Sequence, residues 1–168
     1  ESIISETLNN CDDGELYLEN SKSESIVLDD DKIKSSSYSS DLGYGLRAVT
    51  GEVVAYSHSN EISKKSLKQS ASNLSSTLKS QKGIYNHEIP QTNEKFYKDV
   101  NPIEEKSLQS KLDLLKEVNN YTRAKGGIVR QVTASFAGEH KSIEIIRSGG
   151  EVLTDVRPLI RFNVSVML

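Results

Sequence analysis

DLGYGLRAVTGEVVAYSHSN, residues 41–60, decides how the rest of the chain is read. Tyr44, Leu46 and Ala48 alternate with Gly45, Arg47 and Val49. After Thr50-Gly51, Val53, Ala55 and Ser57 alternate with Val54, Tyr56 and His58. Such alternation on both sides of a glycine turn predicts a β-hairpin, because successive side chains of a strand point to opposite faces. A two-stranded ribbon is marginal in water, so further strands and a helix must bury one of its faces.

The flanks supply both. Upstream, residues 2–10 have helical spacing, and 15–20, 25–28 and 32–38 read as three short strands, with Asp29-Asp30-Asp31 reversing the chain. The triple aspartate lacks the spaced carboxylates, central glycine and closing glutamate of a calcium loop, so it reads as a polar turn. Downstream, Ser63 caps a helix whose apolar face is Leu67, Ala71, Leu74 and Leu78. Periodicity is then lost over residues 81–101, the expected linker between a domain at 1–80 and a second at 102–168.

In the second domain a helix is expected from Pro102, with Leu108, Leu112, Leu115 and Val118 as its stripe and Gly126-Gly127 as its stop. Strands follow at 128–137 and 140–147, separated by a turn at Gly138-Glu139. After Ser148-Gly149-Gly150 the chain runs from 151 to 156, bends at Arg157-Pro158, and continues with Ile160, Phe162, Val164, Val166 and Leu168 alternating with polar residues. The expected fold class is therefore α+β: two small lobes, each an antiparallel β-meander with helices packed on one face.

At 168 residues and 35% hydrophobic, the chain can bury a core in one or two domains. A net charge of -3 lacks the basic excess that phosphate contacts require, which argues against nucleic acid as a partner. No apolar run approaches the roughly 20 residues needed to span a bilayer, so no membrane partner is expected. The single cysteine, Cys11, excludes an internal disulfide and suits a reducing, cytoplasmic setting. Glu1 opens inside a helical pattern and Leu168 closes inside an apolar alternation, so a fragment of a longer protein is expected.

No residue set makes an active site by its own chemistry. His58, His87 and His140 are far apart and none has a ligand at helical metal spacing. No G-x-S-x-G elbow accompanies the many serines. Gly43-Tyr44-Gly45 and Gly149-Gly150 do not sit between a strand and a helix, so they read as packing and turn glycines rather than phosphate loops. Arg157 and Arg161 read as structural ion-pair donors.

Function enters through resemblance. D-x-G-x-G-x-R-A from Asp41, the Gly51-Glu52 turn and S-x-x-x-L-x-x-S-A from Ser63 resemble the amino-terminal domain of the TldD/PmbA metalloprotease family. KLDLLKEV at 111–118, VRQVTASFAG at 129–138 and above all DVRPLIRFNVSV at 155–166 resemble its TldD branch, and the likeness covers nearly the whole chain. It implies a cytoplasmic zinc-dependent peptidase that acts on unfolded or peptide-like substrates, with a PmbA-type subunit or self-association as partner.

The family's H-E-x-x-x-H helix and later cysteine match no residue of 1–168. The expected site therefore holds no catalytic, cofactor-binding or metal residue, and zinc belongs to the full-length enzyme and not to this portion. The part expected of this stretch is substrate access along strand edges and subunit assembly through the apolar face of 160–168. The alternative is a non-catalytic scaffold or binding partner without the metal site.

Overall fold

A computed structural model describes residues 8, 11–78 and 94–168. Five strands, β1 (Asp13–Asp29), β2 (Lys32–Thr50), β3 (Val53–Ser59), β4 (Gln131–Arg147) and β5 (Val152–Met167), form one sheet in the order β3-β2-β1-β4-β5. Among the described residues, helices α1 (Lys64–Leu78) and α2 (Leu108–Arg123) accompany it. The α+β class holds.

The β2–β3 hairpin pairs antiparallel from Tyr44↔Ser59 to Thr50↔Val53, with Gly51 supplying the left-handed residue at φ 57°. Between β1 and β2, Asp30 and Asp31 both adopt positive φ, 49° and 64°, as a two-residue hairpin loop requires. The Asp30 N–H donates to the Val132 carbonyl at 3.0 Å, and the Ser148 N–H donates to the Gly14 carbonyl at 2.9 Å, so β1 and β4 run in opposite directions. Arg130 to Met167 and Arg147 to Glu151 show the same for β4 and β5.

The chain forms two compact units. The first contains residues 1–20, 41–96 and 142–155, and the second contains 21–40, 97–141 and 156–168. In the first, Ala71, Leu74 and Leu78 of α1 join Leu16, Leu46 and Ala55 in one core, to which Leu8 and Cys11 also belong. Ser63 Oγ accepts from the Ser66 N–H at 3.1 Å, the expected cap of α1. Tyr44 places its hydroxyl among serines, 2.7 Å from Ser66 Oγ and 2.9 Å from Ser70 Oγ, which gives a buried phenol its partners. In the second unit Leu115 of α2 packs on Ile26, Leu28, Ala134 and Phe136.

Several expected breaks are absent. Residues 13–29 form one strand and 32–50 another, where three short strands and a separate hairpin arm were expected. Serine-rich stretches pair because their neighbours complete the ladder, an override of weak local preference. Gly138-Glu139 makes no turn. A Cβ at Gly138 would lie 3.1 Å from Ile103 and 3.2 Å from Ile160, so this glycine admits close packing inside β4. β5 also passes through Arg157-Pro158 without interruption, and a proline without an N–H is tolerated there because β5 is an edge strand.

Helix α2 begins at Ser107 rather than Pro102. Ser107 Oγ accepts from the Ser110 N–H at 3.2 Å, while Asn101 Oδ1 takes the Ile103 N–H at 3.0 Å and holds the preceding residues in a local turn. Its buried residues are Lys111, Leu115 and Asn119, and Leu108 is exposed. The expected helix at 2–10 lies outside the described residues except for Leu8, which is fully buried, and most of the expected linker lies outside them as well.

Candidate functional site

The second unit carries the surface that a partner could use. Val132, Ala134 and Phe136 of β4 face α2 and are buried. Ile160 approaches the position of a Gly138 Cβ, so it lies on that same face, and period-two alternation brings Phe162, Val164 and Val166 with it. Helix α2 does not finish the cover: these four side chains are 38 to 44% exposed, against 0% for Ala134. The result is an apolar strip on a long edge strand, the kind of surface that marks an interaction site. A groove of about 400 Å³ borders it, walled by Pro102, Glu105, Leu114, Phe136 and Ile160.

Polar tension beneath the groove is resolved internally. Lys111 is 6% exposed, donates to the Glu24 carboxylate and to the Ile103 carbonyl at 2.6 Å, and its ammonium stands 5.4 Å from the Phe136 ring. Three kinds of partner occupy the cation, which therefore ties the turn before α2 to the sheet. Nearby, Lys22 donates to Glu104 at 2.6 Å. Hydrogen bonding and charge from Glu104 raise the Lys22 pKa, and the same contact lowers that of Glu104.

The residues singled out in the sequence are scattered. His58 stacks on Tyr56 of β3, with ring centroids 5.7 Å apart. Tyr56 covers Gly45, where a Cβ would come within 2.8 Å of its hydroxyl. His140 is on β4 with Nε2 3.6 Å from Asp99 Oδ1, and His87 lies outside the described residues. Cys11 is buried in the first core, where burial first, then Asp12 and Asp13, raise its thiol pKa.

Two of the three aspartates at the β1–β2 turn, Asp29 and Asp30, are engaged by the fold. Asp29 accepts from Gln131 and Thr133, which hold its carboxyl below the usual range, and Asp30 accepts from Arg123. Gly150 is a turn glycine at φ 82°. Arg157 and Arg161 are exposed on β5. Two arginines that the pattern did not mark, Arg47 and Arg147, flank Asp13 at 3.0 and 3.5 Å and join β2 and β4 to β1.

Among the described residues no three histidine, cysteine, aspartate or glutamate side chains cluster as metal ligands. His58 and Cys11 show why: one is stacked on an exposed edge strand, the other is enclosed in a core. These residues do not fit a metal centre. Among the described residues, no helix is long and apolar enough to cross a membrane.

The described residues thus present a partly uncovered apolar edge on an antiparallel α+β scaffold. Residues 14–77 match the PmbA/TldA metallopeptidase domain 1, and residues 101–168 match the central domain of the same family. The chain belongs to the PmbA/TldD metallopeptidase family. It is 35% identical over 158 residues to a metalloprotease TldD homologue of Buchnera aphidicola subsp. Acyrthosiphon pisum, covering 94% of this chain and 33% of that protein. With the TldD homologue of Haemophilus influenzae it shares 32% identity over 165 residues, 95% of this chain and 34% of that protein.

The chain thus spans about a third of the length of the curated relatives it matches. Solved structures share the fold. A candidate DNA gyrase modulator of Bacteroides thetaiotaomicron matches with TM-score 0.71 at 15% identity, over 98% of this chain and 40% of that one. TldE of Thermococcus kodakarensis matches with TM-score 0.60 at 12% identity, over 98% and 42%.

Proposed function

We propose that this chain is the non-catalytic amino-terminal portion of a cytoplasmic TldD-like zinc-dependent peptidase acting on unfolded or peptide-like substrates. Its segments 1–80 and 102–168 act as successive domains joined by 81–101, and they contribute substrate access and subunit assembly. The observation that carries this reading is the strip Ile160, Phe162, Val164 and Val166, left open on the face that α2 covers elsewhere. Its occupant is the part of a TldD-like protein that lies outside the matched third, which would also supply the zinc ligands. A PmbA-type subunit is the further partner, in keeping with the likeness to TldE.

The purified chain is therefore expected to show no peptide hydrolysis with or without added zinc. Zinc-dependent cleavage abolished by a chelator and restored by the metal would overturn the reading. A hydrophobic dye should bind the isolated chain, and Phe162→Ser should weaken that binding. No dye binding by a monomeric chain would remove the assembly role.

A further inference from the structure

We propose that His140 is a proton-operated latch that holds residues 99–104 against strand β4 within the second unit. The His140 side chain is only 13% exposed, and its Nε2 is fully buried without a hydrogen-bond partner. A buried unpaired imidazole nitrogen is costly, and its nearest answer is the Asp99 carboxylate, 3.6 Å away and just beyond hydrogen-bonding reach. Protonation turns Nε2 into a charged donor aimed at that carboxylate. Asp99 is 80% exposed and free to move the last few tenths of an ångström.

Two acids and one lysine share the patch around that nitrogen. The Asp30–Val132 and Gly14–Ser148 contacts fix one register between β1 and β4, which sets Lys22 directly beside His140. Residues 99–104 bring two carboxylates, Asp99 and Glu104, onto this patch, and Lys22 already answers Glu104. His140 is thus the group that can balance the second acid. The other charges nearby are committed or turned away. Lys111 of α2 is paired with Glu24 of β1, Glu139 and Lys141 on the same strand as His140 pair with each other at 3.5 Å, and alternation puts Arg157 and Arg161 of β5 on the opposite face. The latched turn leads into Pro102 and Glu105, so the same proton steadies one wall of the groove.

The turn has its own reporters, because the Ile103, Glu104 and Glu105 amides all donate to Asn101. Their hydrogen-exchange protection, corrected for intrinsic rates, should rise roughly fivefold between about pH 7.5 and pH 5.5, the scale of a partly exposed ion pair. His140→Gln and Asp99→Ala should each abolish the rise. Asp99 is exposed enough that its variant keeps the fold, so a loss there is not an unfolding artefact. A flat wild-type profile, or a rise that persists in Asp99→Ala, would overturn the latch. Neither outcome depends on peptidase activity.

Discussion

The two compact units bury apolar surface by the same means and to different extents. In the first, α1 lays Ala71, Leu74 and Leu78 over β2 and β3, and the adjoining strand residues Tyr44, Leu46, Ala48 and Ala55 are all buried. In the second, α2 buries Ile26, Leu28, Ala134 and Phe136, yet the next strand on the same face, β5, keeps Ile160, Phe162, Val164 and Val166 about 40% exposed. One helix is enough for the first core and stops one strand short in the second. The difference leaves β5 as the open side of the second unit: apolar side chains of this size contribute roughly 1.5–3 kcal/mol each when fully buried, and those of β5 hold somewhat less than half of that in reserve.

The sharpest way to test the contrast is to damage each core. Leu74→Ala in the first unit and Leu115→Ala in the second, both essentially fully buried, should each cost about 2–5 kcal/mol in urea unfolding. A much smaller loss for Leu115 would mean that the second core is not formed without its partner. Lys111→Met leaves the Glu24 carboxylate buried without its cation and should cost about 3 kcal/mol, and adding Glu24→Leu should recover most of it. If the double variant is no better than the single, the pair does not act as a unit.

Smaller effects follow on the open strip. Phe162→Ser should cost this chain no more than about 2 kcal/mol, since its side chain is already 40% exposed, while clearly weakening association with the rest of the protein. Equal loss in both assays would make Phe162 a core residue. The smallest effect is a pH one. Hydrogen bonds from Gln131 and Thr133 depress the Asp29 carboxyl in the folded state, so its contribution is present above the unfolded carboxyl pKa of about 4 and is lost as pH falls through the lower folded value. The urea midpoint should therefore drop below about pH 4, and less so in Asp29→Asn. An identical acid profile in the variant would place the acid sensitivity elsewhere.

How much of this was legible in the sequence follows from the range of the interactions. The 41–60 hairpin and the Ser63-capped helix rest on neighbours a few residues apart, and both stand in the structure. The strip on β5 was readable from its alternation, although its openness depends on where α2 ends across the sheet. Lys111 was not readable as a buried ion, because its partner Glu24 is 87 residues away and lysine in a Leu-rich helix ordinarily faces water. The expected turn at Gly138 and bend at Pro158 failed for a related reason. Both residues break isolated strands, and only the sheet shows that one sits beneath Ile103 and Ile160 and the other on an edge. The Asn101 turn, which delays α2 to Ser107, is a local competition that the proline concealed.

The most direct test of the account is hydroxyl-radical footprinting of Phe162 in this chain and in a TldD-like protein of the relatives' full length. The account predicts high reactivity in the isolated chain and a severalfold fall when the remaining two thirds is present, with Tyr56 on β3 serving as an exposed reference. Equal reactivity of Phe162 in the two proteins would contradict it, because the β5 strip would then be plain surface with no partner to receive.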